Sequence, residues 1–406
     1  MEVVLHGNDK RYRTDMNNTC MIPRCATLLL LTIFSMTQFQ NANTIEKAPS
    51  SVTTADRENT PINLIFDTDI WTDIDDAMAL AMLHALVDRG EINLLAVTIS
   101  SNYAWCASYV DLVDTFYAHT QVPIGINHKG MDVEYFRKRF QSTTWPDTHY
   151  TDRLSTRRNG NGTLVYPHHL LDGTTAPEAV TLLRKTLAAQ ADGSVVIVQV
   201  GYSTNLARLL RSPPDQISRF NGRELVSKKV RLLSVMAGNF RDKTIEGQTI
   251  SKGVPEFNLE ADIPSAQALF ANWPTPIVAS GLEIGLSLLF PSDSIQHDFG
   301  YTHDHPIVEA YRTYCEEHRP APPLTCPHEH PTWDLTAVLY AVRPNRKYFS
   351  LSNPGHITVM DDGSSRFEET AGGRDRYLIL QDAQQARTLE ALVMLVSQPP
   401  KHGARS

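Results

Sequence analysis

The sequence predicts an α/β protein with a mostly parallel central sheet flanked by helices, on three observations. Short apolar, β-branched runs recur along the chain. Helix-length segments with apolar periodicity lie between them. The two kinds alternate from Pro61 onward, which is the rhythm of strand, crossover helix and strand. In such sheets, ligands bind beyond the carboxyl ends of the strands.

In order, Ile62 to Phe66 reads as a buried strand, and Asp75 to Val87 as a helix apolar on all sides that Arg89-Gly90 ends. Ile92 to Ile99 is the next strand, Ala104 to His119 is helical, and Val122 to Ile126 is strand-like. Residues 131–172 break the rhythm: they are rich in Arg, Thr, Asn, Gly and His, and read as an insertion or lid. Pro177 to Ala191 is a helix, Ser194 to Val200 a strand, and Thr204 to Leu210 the start of another helix. Val230 to Met236 and Ile277 to Ser280 are strands, and Asp334 to Val342 is helical. Tyr348 to Met360 and Arg376 to Leu380 read as late strands before a last helix, Ala383 to Val396. No internal repeat or low-complexity tract occurs.

The chain has 406 residues, enough for a sizeable core. Its formal net charge is -8, from 37 basic and 45 acidic residues, and no long basic run is present. That balance argues against nucleic-acid binding but not against small nucleosides. Met21 to Ala42 has the shape of a secretory signal: a short basic start at Arg24, an apolar run from Ala26 to Phe34, then polar residues. Residues 1–42 are therefore expected to be a signal peptide with a preceding extension, 43–60 a linker, and 61–400 the catalytic domain. The expectation is an exported protein, periplasmic or secreted, with no membrane attachment after signal removal. Of five cysteines, only Cys106, Cys315 and Cys326 lie beyond the signal. Cys315 and Cys326 flank a Pro-rich loop and can pair in an oxidising compartment.

The most informative segment is Ile62 to Leu83. Asp67, Asp69, Asp73, Asp75 and Asp76 place five carboxylates within ten residues, directly after a buried strand and at the opening of a buried helix. Such crowding beside an apolar core raises self-repulsion and desolvation cost, and a hard divalent cation relieves both. Helix capping explains one or two aspartates, not five.

The segment resembles the D-x-D…D-D signature of the inosine/uridine-preferring nucleoside hydrolase family, in a variant with two extra residues before the paired aspartates. The likeness runs in order along most of the chain. Leu95 to Asn102 resembles the second-strand segment ending in a ribose-contacting Asn. Val200-Gly201-Tyr202-Ser203-Thr204-Asn205-Leu206 is similar to the segment whose backbone carbonyl binds calcium, here that of Val200. Glu256-Phe257-Asn258 with Ala261-Asp262 resembles the sugar-binding E-F-N…A-D motif. Trp333 to Val338 resembles the late segment whose aspartate, here Asp334, completes the metal site.

The resemblance implies calcium-dependent hydrolysis of the N-glycosidic bond of a ribonucleoside or related N-riboside. A Ca2+ ion would sit on Asp69, Asp76, Asp334 and the Val200 carbonyl, with Asp69 as general base. Asp75, Asn102, Glu256 and Asn258 would hold the sugar, Asn239 is a further candidate, and Asp67 would support the loop from behind. Trp333 departs from the family, many of whose members carry a histidine there to assist the leaving group. It can stack on a flat leaving group instead, and His330 is a nearby substitute. Family members are often dimers or tetramers, so a homo-oligomer is expected. The segments His303-Asp304-His305 and His328-Glu329-His330 invite zinc, but the aspartates already offer a hard-cation site. Two rival readings are an exported nucleoside- or sugar-binding protein without turnover, and a phosphatase of the haloacid dehalogenase type with Asp67 as nucleophile.

Overall fold

The computed structural model describes residues 60–140, 149–245, 247–317 and 325–401, and those from Pro61 on belong to one compact unit. The expected signal peptide and nearly all of the expected linker lie outside the described residues. Among the described residues no helix is long and apolar enough to cross a membrane.

The central sheet is mostly parallel. Strands β1 (Ile62–Thr68), β2 (Ile92–Ser101), β3 (Ile124–Met131), β4 (Val195–Gln199), β5 (Val230–Met236) and β6 (Ile277–Ser280) pair side by side in parallel. They are followed by β7 (Ser350–Leu351), β8 (Gly355–Val359), β9 (Ser365–Glu369) and β10 (Asp375–Ile379). The order across the sheet is β9-β8-β10-β6-β5-β4-β1-β2-β3, with β7 added antiparallel to β10. Strand β10 is parallel to β6, whereas the β8–β9 hairpin is antiparallel. From β1 the chain winds outward through β2 and β3, then returns to β4 on the other side of β1. The β1–β4 gap is therefore the point where winding direction reverses, the place beyond the strand ends where such sheets bind ligands.

Side-chain alternation divides the core in two. Leu64, Phe66, Val196 and Val198 point into one cluster, and Ile65, Val195 and Ile197 into the other. Both faces are apolar because helices cover both. Helix α1 (Asp75–Asp88) is the most enclosed: every residue from Asp75 to Leu86 is buried, as its lack of a polar face requires. It packs against the later helices Trp333–Val342 and Asp382–Val396.

Element boundaries shifted in a few places. The helix expected to reach His119 ends at Phe116, with Ala118 in the left-handed region at φ 60°. The expected Val122–Ile126 strand runs to Met131. The single stretch Tyr348 to Met360 is two strands, β7 and β8. Hairpin strand β9 went unread because its sequence, SRFEE, is mostly polar and lies at the sheet edge. Residues 131–172 contain two short helices, α2 (Val133–Arg139) and α3 (Tyr150–Thr156).

At the carboxyl-terminal end of α1, polar groups also enter the core. His84 Nε2 lies 2.8 Å from Asp114 Oδ1, His84 Nδ1 lies 2.8 Å from His119 Nδ1, and His119 Nε2 lies 3.1 Å from Asp88 Oδ1. Tyr117 stacks on the His84 ring at 5.0 Å. Cys315 and Cys326 form a disulfide.

Candidate metal centre and active site

The end of β1 delivers the first carboxylates. Asp67 is its penultimate residue, and Oδ1 accepts hydrogen bonds from Thr98 Oγ1 at 2.5 Å and Asn205 Nδ2 at 2.8 Å. Asp67 O also accepts the Val200 amide at 2.8 Å, which ties the ends of β1 and β4 together. These contacts tie Asp67 to Thr98, Asn205 and Val200. Asp69 follows the strand; Oδ2 accepts from Thr72 Oγ1 at 2.9 Å, and Tyr202 lies near the same carboxyl. Thr68 Oγ1 donates to Asp76 Oδ1.

Asp75, Asp76 and Asp334 converge. One oxygen from each lies within 4.8 Å of the others, and all three residues are buried. Asp75 opens α1. Asp334 sits in the first turn of the Trp333–Val342 helix, and its amide donates to Asp75 Oδ2 at 3.0 Å. Neither end follows the capping interpretation: α1 has no side-chain cap, nor does the helix that carries Asp334. The oxygens of Asp69 fall outside that triad, but its charge acts on both Asp76 and Asp334.

The electrostatics are those of an uncompensated acidic cluster. Burial raises Asp69 to about 7, against relief from Tyr202 and Thr72. Burial and then the Asp73 charge raise Asp75 to about 8. Asp76 and Asp334 are pushed well up by burial first and by their aspartate neighbours second. The four are between 1 % and 4 % exposed. Among the described residues, no lysine or arginine forms an ion pair with any of them. Buried like charges without a cation are costly. The donor set, carboxylates only, fits a hard divalent ion.

The expected sugar-binding residues lie around this cluster in several states. Asn258 Nδ2 donates to the Val200 carbonyl at 2.7 Å, joining an expected sugar ligand to an expected metal ligand. A carbonyl oxygen keeps a second lone pair for another partner. Glu256 is buried; Oε1 accepts the Asn258 amide at 2.8 Å, and Oε2 accepts the Gly238 amide at 3.0 Å. Burial raises its carboxyl to about 7 despite those bonds. Asn239 is buried, with Nδ2 bonded to Ser251 O at 2.9 Å and Oδ1 lacking any partner among the described residues. Asn102 is exposed, and its amide donates to Met131 O at 2.8 Å.

Trp333 is half-buried, with its indole N–H donated to Leu282 O at 2.9 Å, and the space a Cβ on Gly285 would need is filled by its ring. His330 lies beside it: the ring centroids are 5.9 Å apart and nearly perpendicular. His330 Nε2 is 2.7 Å from Asp73 Oδ1. Burial alone would lower its pKa, but the charges of Asp73 and Asp75 outweigh that and raise it.

The insertion contributes to the same region. Trp71, fully buried in the aspartate loop, packs against Phe136 of α2 at 5.5 Å, Tyr103 at 5.0 Å and His149 at 4.7 Å. Tyr150 of α3 donates its hydroxyl to the Asp73 carbonyl at 2.8 Å. Thr68, Thr72, Thr98, Tyr202 and Asn205 were not foreseen as neighbours of the carboxylates. All five sit inside segments already singled out, but short polar side chains beside aspartates are too common to stand out.

A model of the family described as inosine-uridine preferring nucleoside hydrolase matches residues 64–394. A search among curated proteins finds no match. Solved structures share the fold at low identity. A purine-preferring ribonucleoside hydrolase from Gardnerella vaginalis is 16% identical with a TM-score of 0.59, covering 82% of this chain and 98% of that one. An inosine-uridine preferring nucleoside hydrolase from Bacillus anthracis is 14% identical with a TM-score of 0.55, covering 83% and 99%. The type III effector protein XopQ, complexed with adenosine diphosphate ribose, is 14% identical with a TM-score of 0.54, covering 83% and 93%.

Proposed function

Because the chain belongs to the inosine-uridine preferring nucleoside hydrolase family, and so to the N-glycosyl hydrolases, we propose that it cleaves the N-glycosidic bond of a ribonucleoside or related N-riboside with calcium as its cofactor. The observation that carries this reading is the convergence of Asp75, Asp76 and Asp334, distant in sequence, with Asp69 beside them. The family match gives no support to the phosphatase alternative.

Asp76, Asp334 and Asp69 would hold the cation with the Val200 carbonyl. Asp75 lies close enough to share in that role as well as in contacting the sugar. When bound, such an ion lowers the pKa of a coordinated water and fixes its position. Asp69 takes the water's proton as general base, held for that task by Thr72. Asn258, Glu256 and Asn239 offer an amide, a carboxylate and an amide oxygen for ribose hydroxyls. Asn102, at the exposed end of β2, meets the sugar from the solvent side. The ring of Trp333 offers a surface for a flat leaving group, but its N–H is committed to Leu282, so it supplies no proton. XopQ in its complex with adenosine diphosphate ribose widens the candidate substrates from free nucleosides to larger ribosides. Export accords with the Cys315–Cys326 disulfide, since such bonds persist in oxidising compartments. Helices α2 and α3 of the insertion shape the pocket mouth, and the chain assembles as a homo-oligomer.

The test is release of reducing sugar over a panel of N-ribosides, with calcium or with chelator, on wild type and Asp69→Asn. Calcium-dependent release that Asp69→Asn abolishes is the expected result. Binding without release would favour a nucleoside-binding protein, and release that survives both treatments would refute the mechanism.

A further inference from the structure

The segment His328-Glu329-His330 was set aside as a zinc site on sequence grounds, yet the fold carries one of its histidines into the acidic cluster. One ligand atom each from Asp73, Asp75 and His330 lies within 4.8 Å of the other two, next to the Asp75–Asp76–Asp334 group and sharing Asp75 with it. His330 is only 8 % exposed. Its Nε2 is 2.7 Å from Asp73 Oδ1, but the carboxylate is poorly aligned, and Nε2 makes no directed hydrogen bond among the described residues. The ring is fixed in place by perpendicular contacts with Tyr314 at 5.5 Å, Tyr311 at 6.2 Å and Trp333 at 5.9 Å. Asp73 is fixed as well: its carbonyl accepts from Tyr150 and its carboxylate from the Ile74 amide at 2.6 Å.

We propose that Asp73, Asp75 and His330 form a second divalent-cation site, bridged through Asp75 to the first. The donor chemistry differs between the two. The first offers oxygens alone, whereas the second adds an imidazole nitrogen to two carboxylates, a set that suits zinc-like ions better than calcium. Charge favours two ions over one. Five aspartates crowd this loop and its partner helix, namely Asp69, Asp73, Asp75, Asp76 and Asp334. A single divalent cation leaves most of that negative charge uncompensated, and a second removes nearly all of it. Asp73 is the least buried of the three ligands, its side chain being 28% exposed, and so gives an ion a way in. The proposal rests on the preceding functional reading only for the bridge.

The experiment titrates zinc into the full chain saturated with calcium, by calorimetry, and counts both metals by elemental analysis after desalting. The expected result is one zinc bound in addition to one calcium. His330→Ala and Asp73→Asn should each weaken zinc by at least about tenfold while leaving the calcium count unchanged. Zinc bound without any calcium, and lost in His330→Ala, would sustain this site while sinking the calcium reading. No zinc in the wild type, zinc retained equally by both variants, or zinc displacing calcium one for one would each overturn the second site. If either variant fails to fold, the wild-type count and the remaining variant still decide.

Discussion

Helix α1 carries a buried polar cluster at each end, and the two obey opposite charge logic. At its amino end Asp75 and Asp76 meet Asp334 and Asp69, all acidic. At its carboxyl end His84 and His119 stand between Asp114 and Asp88, so that each ring has a carboxylate at its Nε2. Burial lowers His84 to about 3 and pushes Asp114 well up, so both members of this pair are driven toward their uncharged forms. The first has no such resource, since four or five like-charged groups cannot neutralise one another without taking up protons or a cation. The same helix thus separates a cluster in which histidines face carboxylates from one built of carboxylates alone.

The largest expected effect tests that division directly. Asp76→Asn should lower kcat/KM by roughly 10³-fold or more, in line with removing a carboxylate that holds the ion on which the attacking water depends. His84→Gln should leave kcat/KM within about twofold, since it touches nothing at the site. Comparable losses in steady-state assays of the two variants would erase the distinction. Next comes stability. Calcium at a hundred times its Kd should add about 2.7 kcal/mol to the unfolding free energy from urea titrations, a gain that Asp76→Asn abolishes and His84→Gln preserves.

A smaller effect lies in the sign of the pH dependence. Asp69 and Asp75 rise from 3.8 to about 7 and about 8 on folding. Groups raised in this way contribute stability below pH 3.8 that is lost as pH climbs through their folded values. Chelated protein should therefore show a falling urea midpoint from about pH 4 to 8, and calcium should flatten that fall. His84 acts the other way. Its folded value is about 3 against 6.5, so its contribution is present above pH 6.5 and lost as pH falls toward 3. His84→Gln should flatten the acid limb alone. The smallest effect is at Trp333: Trp333→Phe removes one hydrogen bond to Leu282 and should cost about 1 kcal/mol by denaturant titration.

Much of this was legible beforehand, for physical reasons. The strands β1, β4, β5 and β6 are mostly apolar runs bounded by turns, as a parallel sheet covered on both faces requires. The five aspartates stood out because nothing structural needs so many carboxylates beside a core. The roles within the cluster were harder to read. Asp75, expected to hold the sugar, also lies in a close carboxylate group with Asp76 and Asp334. His330 was noticed as a stand-in for the histidine missing at Trp333 and as part of a His-rich segment, not as a neighbour of Asp73. Its approach to Asp73 depends on a loop whose path no periodicity encodes. The His84–His119 pair was invisible, since those residues are 35 apart and each alone looks like an ordinary histidine.

The disulfide bears on this loop. Cys315 is near the end of the helix Pro306–Glu317, and Cys326 precedes His330 by four residues, so the cross-link spans a separation of 11 residues. A ring of that size withdraws roughly 3 kcal/mol of freedom from the unfolded chain. Downstream of it the backbone runs straight through His330 and Trp333 to Asp334, so the last acidic arm of the site is delivered on a short tether. The redox state of the surroundings thereby becomes a silent participant in how firmly that arm is held.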